Sequence, residues 1–131
     1  MLEILFEYWK LISLLIFHYY VILILTDGNI NDMNSTKDII VEASILPLSI
    51  IIVGIGPGDF SLMDQLDGDK IPLENTKGEV WKRDIVQFVE FQKFKKGNEI
   101  EDVTSLTEEV LKEIPTQVEE YFEKCGKFYS K

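Results

Sequence analysis

The chain has 131 residues, enough for one domain, with 46% hydrophobic residues to build a core and 27% charged residues, an ordinary share for a soluble protein. Its formal net charge of -10 repels the phosphates of nucleic acid, and repels anionic lipid headgroups unless a cation bridges them. Cys125 is the only cysteine, so no intrachain disulfide can form, which suits a reducing compartment.

Residues 1–18, MLEILFEYWKLISLLIFH, are apolar apart from Glu3, Glu7 and Lys10 at helical spacing, Ser13 and the terminal His18. A helix of this composition needs burial nearly all round. The acidic start and the lack of a small-residue cleavage pattern argue against a secretory signal. A membrane anchor over residues 4–25 is an alternative reading. The uncharged run 11–25 has fifteen residues, short of the roughly 20 that a bilayer requires. Extending it takes in Lys10 and Glu7, at about 2.5–3.5 kcal/mol for a charged group near the centre of a span.

Residues 19–27, YYVILILTD, are the stretch around which the rest is organised. The unbroken apolar run from Tyr19 to Leu25 predicts a strand buried on both faces, at the centre of a parallel sheet. It stops at Thr26, Asp27 and Gly28. Ligands of open α/β sheets sit beyond the carboxyl ends of strands, so Asp27 is the candidate functional carboxylate, with Asp32 following in the same loop.

Residues 31–46 read as a helix. Asn34 or Ser35 is the expected cap, Ser35 and Asp38 have capping-box spacing, and Pro47 ends the segment. Residues 48–53, LSIIIV, predict a second buried strand at the right distance for a right-handed crossover. Gly54, Gly56 and Gly58 do not have dinucleotide-binding spacing. They read as a turn, with Asp59 capping a short helix over 60–66. Asp67-Gly68-Asp69 lacks the later ligands of a calcium loop and reads as a helix-to-loop junction. Residues 69–82 predict a surface loop.

Residues 84–91, DIVQFVEF, alternate partly, with Val86 and Phe88 on one face and Gln87 on the other, as expected of an edge strand. Lys93, Lys95 and Lys96 with Phe91 and Phe94 read as a solvated strand end that blunts the edge. Thr104 or Ser105 is expected to start the last helix. Its apolar face runs from Leu106 through Val110, Ile114, Val118 and Phe122 to Cys125, interrupted or kinked at Pro115.

TDGNINDM resembles the third metal-site segment of a von Willebrand factor A domain. The longer text from Tyr19 to Phe122, including RDIVQFVEF and EIPTQVEEYF, resembles the A domain of copines. The resemblance implies an α/β fold, a partial doubly wound (Rossmann-like) A domain with a mostly parallel sheet and helices on both faces. It assigns residues 19–125 to the carboxyl-terminal half of that domain, with 1–18 outside it and 126–131 as a tail. The family builds its metal site from an Asp-x-Ser-x-Ser turn, a Thr on a later loop and the Asp of TDG. Only the last is matched here, by Asp27, so Mg²⁺ or Ca²⁺ is expected to bind weakly.

The resemblance also implies calcium-dependent phospholipid binding by the parent protein, through two C2 modules that these residues do not contain. The A-domain portion is then expected to recognise protein partners. The expected setting is cytoplasmic, with recruitment to anionic plasma membrane and no nucleic-acid partner. The alternatives are a truncated interaction module or remnant without a metal, and the short membrane-anchored protein. Residues 1–18 are expected to pack over sheet surface that the missing half of the domain leaves open. Catalysis is not expected: His18 is the only histidine, lies in apolar text and reads as packed, and Cys125 lies in the last helix.

Overall fold

A computed structural model describes residues 2–13, 18–97, 99–100 and 102–125. Three parallel strands form the sheet in the order β1-β2-β3: β1 (Tyr20–Thr26), β2 (Leu48–Gly54) and β3 (Val86–Glu90). Helix α1 (Leu2–Ser13) precedes them, α2 (Met33–Ala43) crosses from β1 to β2, and α3 (Ser61–Asp67) lies between β2 and β3. A 3-10 turn (Phe91–Phe94) leads to a small antiparallel pair, β4 (Lys95–Lys96) and β5 (Glu99–Ile100). Helices α4 (Val103–Leu111) and α5 (Ile114–Glu120) follow, and a π-helical turn (Tyr121–Cys125) completes the described chain.

Pleating sends alternate residues to opposite faces. Tyr20, Ile22 and Ile24 align with Leu48, Ile50 and Ile52, and these with Val86 and Phe88. Most of this face enters one core with Ile40, Val41 and Ala43 of α2 and Met63 and Leu66 of α3. On the other face, α5 packs on β2 and α4 on β3. There Gln87 donates from Nε2 to Glu109 O at 2.9 Å, and Ile51 and Val89 are buried.

That second cover does not reach β1. Val21, Leu23 and Leu25 are 49%, 60% and 62% exposed. The expectation of a strand buried on both faces at the sheet centre is therefore corrected: β1 is an edge strand, and β2 is the central one. An unbroken apolar run does not reveal which of its two faces has a covering layer. Strand β3 is the other edge, as expected, but Val86 to Val89 are buried because helices cover both of its faces.

Helix α1 lies against α2, and Phe6 joins the core on the α2 side of the sheet. It leaves the Val21–Leu23–Leu25 stripe exposed, so the sheet packing seen for this segment, through Phe6, is on the α2 side. Residues 14–17 lie outside the described structure.

Two cap expectations are also corrected. Asp32 caps α2, accepting from Ser35 N at 2.9 Å, and α2 ends at Ala43 rather than 46. Asp38 instead accepts from the N–H and hydroxyl of Thr76, at 2.7 and 2.8 Å. Asp102 caps α4, accepting from Thr104 N and Ser105 N at 3.0 and 3.1 Å. In both cases the carboxylate just before the helix reaches the free N–H groups of its first turn. The last helix breaks after Leu111 and restarts at Ile114, with Pro115 in the new first turn, where its missing N–H costs nothing.

The 69–82 loop is more than a surface loop. Leu73 is buried in the core, Glu74 bridges Val80, and Lys82 N donates to Ser44 Oγ at 2.9 Å. Gly68 ends α3 at φ 69°, and a Cβ there would lie 2.1 Å from the Trp81 ring.

Among the described residues, Arg83 is the charged side chain that is fully buried, at 2% exposed. Its Nη1 donates to Tyr19 Oη at 3.1 Å and Gln117 O at 3.0 Å, and Nη2 to Leu46 O at 2.5 Å and Leu48 O at 2.7 Å. Its guanidinium carbon also lies 5.6 Å and 5.4 Å from the ring centres of Tyr19 and Tyr121. One planar group with forked donors thereby ties the entry of β1, the start of β2 and α5 together.

Candidate functional site

The Asp27 loop begins where β1 pairing ends, at Thr26 beside Gly54. Gly28 N donates to Thr26 Oγ1 at 3.1 Å, and Gly28 takes φ 98°. A Cβ on Gly28 would lie 2.6 Å from Asp59 O, and one on Gly58 2.4 Å from Asp27 O. The loops after β1 and β2 therefore interleave through glycines, and this close approach fixes the backbone of Asp27.

The Asp27 side chain is exposed and turns back on its own loop. Its Oδ1 accepts from Asn29 N at 3.1 Å and its Oδ2 from Asn29 Nδ2 at 3.2 Å. Asp32 is engaged in capping α2, and Asp59 accepts from Ser61 N at 2.9 Å. Those bonds hold the Asp59 carboxyl below its ordinary range. The three acidic side chains of this strand end thus serve three separate turns. Among the described residues, Asp27 belongs to no group of three or more acidic, His or Cys ligands. Ca²⁺ takes six to eight oxygen ligands, whereas Mg²⁺ keeps several waters beside one or two carboxylates. The lone Asp27 carboxylate does not fit a resident Ca²⁺ and would leave Mg²⁺ largely hydrated.

The structure gathers carboxylates elsewhere. Asp69, Asp84 and Glu113 each offer an oxygen, all within 4.8 Å of one another. Asp67 adjoins them at the end of α3, its Oδ1 accepting from Phe88 N at 2.7 Å. Asp84 precedes β3, so in a parallel sheet this cluster lies at the end opposite Asp27. Burial is the main force raising Asp67, Asp84 and Glu113, each to about 7, and neighbouring carboxylates add to it. The backbone N–H groups of Phe88 and Val86 oppose the rise at Asp67 and Asp84. Groups so placed share protons or accept a hard cation. Asp67-Gly68-Asp69 is the helix-to-loop junction expected from the sequence. Residues 69, 84 and 113 are too far apart in the chain for any local spacing to announce that they meet.

His18, expected to be packed, is exposed, with its ring 6.3 Å from that of Tyr20. The Cys125 side chain lies outside the described residues. In the basic turn, Lys93 pairs with Glu90 at 3.4 Å and Lys95 Nζ lies 5.5 Å from the Phe91 ring centre. Among the described residues no helix is long and apolar enough to cross a membrane. A family model described as Copine matches residues 14–128.

Proposed function

Because the chain belongs to the copine family, we propose that it acts as a copine-type binding protein rather than an enzyme. Calcium-dependent phospholipid binding is the task of the parent architecture, and this A-domain portion recognises protein partners in the cytoplasm and at anionic plasma membrane. The supporting observation is the loop after β1. Its backbone is fixed by the interleaved Gly28 and Gly58, and it presents the exposed Asp27 at the carboxyl end of a parallel strand, where such folds bind ligands. Any cation held there is weakly bound and mostly hydrated, since Asp27 is its only matched ligand.

The test is affinity capture from cytosol in calcium and in chelator, for the unaltered chain and for Asp27→Ala, beside sedimentation with phosphatidylserine vesicles. Partner capture by the folded chain, with vesicle binding absent, supports the proposed division of labour. Loss of capture in Asp27→Ala assigns recognition to the loop after β1. Calcium-dependent sedimentation of the chain itself would move lipid binding into this portion and overturn the division. Capture indifferent to both calcium and Asp27→Ala favours a metal-free interaction module.

A further inference from the structure

The cluster before β3 holds more than three carboxylates. Asp69 follows α3, Asp84 leads into β3 and Glu113 leads into α5, and one oxygen from each lies within 4.8 Å of the others. One helical turn beyond Glu113, Gln117 directs its carboxamide at the cluster, its Nε2 donating to Glu113 Oε2 at 3.3 Å. Gln117 is 3% exposed, and its amide oxygen Oε1 is buried with no hydrogen-bond partner. A buried carbonyl oxygen without a donor has lost its hydration and gained nothing in exchange. Left so beside three other acceptor groups, it calls for a positive ligand.

The neighbouring cations are committed elsewhere. Among the described residues no lysine or arginine forms an ion pair with Asp67, Asp69, Asp84 or Glu113. Arg83 precedes Asp84 in the chain, but its bonds go to Tyr19 Oη and to the carbonyls of Leu46, Leu48 and Gln117. Lys112 precedes Glu113, and its Nζ is held by Glu109 at 2.8 Å. A donor set made only of oxygens selects a hard cation. Ca²⁺ holds its ligands at about 2.3–2.6 Å, so oxygens on opposite sides of it lie about 4.6–5.2 Å apart, against about 4.0–4.2 Å for Mg²⁺. A spread of up to 4.8 Å suits the larger ion. Asp69 is exposed, which leaves that side open for waters to complete the shell.

We propose that Asp69, Asp84, Glu113 and the Gln117 amide oxygen form a calcium site that ties the exit of α3 and the entry of β3 to α5. The ion would neutralise the facing carboxylates and give Gln117 Oε1 its missing partner. It would also hold in place the turn of α5 whose Gln117 carbonyl receives Arg83. The site lies at the opposite end of the sheet from Asp27 and stands independently of the role proposed for that loop.

The test is Tb³⁺ luminescence of the full chain at mildly alkaline pH, with isothermal titration of Ca²⁺ and unfolding curves run alongside. Tb³⁺ is an oxygen-seeking ion of calcium-like size, and the Trp81 ring packs against Gly68, between Asp67 and Asp69. Bound Tb³⁺ should be excited through Trp81 and displaced by Ca²⁺ with a dissociation constant of about 10⁻⁵–10⁻³ M, and by Mg²⁺ about tenfold less well or worse. Trp81→Phe should remove most of the luminescence while titration still records Ca²⁺ binding. Asp69→Asn, at an exposed position, and Gln117→Met, which keeps the side-chain length without the oxygen, should each weaken Ca²⁺ about tenfold or more. No saturable Ca²⁺ binding to the unaltered chain overturns the proposal, as does Mg²⁺ binding as tight as Ca²⁺. Affinity unchanged in a folded Asp69→Asn places the ion elsewhere, and affinity unchanged in a folded Gln117→Met removes the amide oxygen from the site. Either result overturns the proposal. If Gln117→Met does not fold, Asp69→Asn decides alone: weakened binding upholds the site, unchanged binding overturns it.

Discussion

Asp84 and Glu113 come from segments almost thirty residues apart, yet their carboxylate oxygens lie within 4.8 Å of each other, with Asp69 as the third member. Asp84, Glu113 and neighbouring Asp67 are each raised to about 7 in the folded state. The fold thus binds more protons than the unfolded chain between the ordinary carboxylate range and neutrality. The stability these groups contribute is fully present below the unfolded values near 4 and is lost as pH rises through about 7. Solvent screening at these half-exposed groups reduces the effect to about 1–2 kcal/mol across that window. Asp84→Asn should raise the melting temperature at pH 8 and flatten its decline between pH 5 and 8, measured by thermal unfolding. An unchanged slope would mean that the cluster is already ionised and relaxed.

The same cluster gives a cation prediction with a built-in control. Millimolar Ca²⁺ at pH 8 should raise the melting temperature through Asp69, Asp84 and Glu113, because a ligand bound only to the native state stabilises it. Asp84→Asn should abolish the rise, and Asp27→Ala should leave it intact. The reverse pattern would return the cation to the loop after β1.

Arg83 should be among the most sensitive positions of the chain. Arg83→Ala leaves the carbonyls of Leu46, Leu48 and Gln117 without this donor, in a region where water is excluded. A loss of about 3–5 kcal/mol is expected in denaturant unfolding. Arg83→Lys should recover only part of it, since an ammonium cannot reproduce the planar fork.

Two glycines with similar backbones separate strain from collision. Gly68 (φ 69°) faces the Trp81 ring at 2.1 Å from a built Cβ, whereas Gly56 (φ 86°) has nothing within 4 Å. Gly56→Ala should cost about 1–2 kcal/mol, the price of a left-handed residue. Gly68→Ala should cost about 1–3 kcal/mol more, from displacing the indole. Equal losses would show that Trp81 moves aside freely.

The helix caps predict a contrast at the loop after β1. Asp32→Ala removes the acceptor for Ser35 N and should cost about 1 kcal/mol. Asp27→Ala, which breaks only exposed bonds to Asn29, should change stability by less than about 0.5 kcal/mol. Asp27 can then be probed for binding without confusing it with folding.

Much of this fold was legible from local pattern. The runs around Leu23 and Ile51 and the partial alternation over 84–91 pointed to all three strands, the spacing between the first two to the crossover, and Pro115 to the helix break. What was not legible depended on chain-distant partners. The apolar text of β1 is the same whether a layer covers it or not, so its exposed face could not be read. Asp38 has ideal capping-box spacing after Ser35, yet Thr76 takes its carboxylate. Arg83 resembles any surface arginine until the carbonyls of Leu46, Leu48 and Gln117 converge on it. The acidic cluster was hidden for the same reason, whereas the placement of Asp27 just beyond β1 could be read because a strand end and its loop are contiguous.

Arg83 also sets an order of assembly. Its acceptors Leu46 and Leu48 precede it in the chain, and Gln117 follows it by thirty-four residues. During synthesis from the amino terminus, β1, α2 and β2 can meet before the guanidinium arrives, but its last acceptor leaves the ribosome only with α5. Until that helix docks, the guanidinium has its bonds to Tyr19, Leu46 and Leu48 but not the one to Gln117. A release that came before Gln117 would leave a sheet with its latch open.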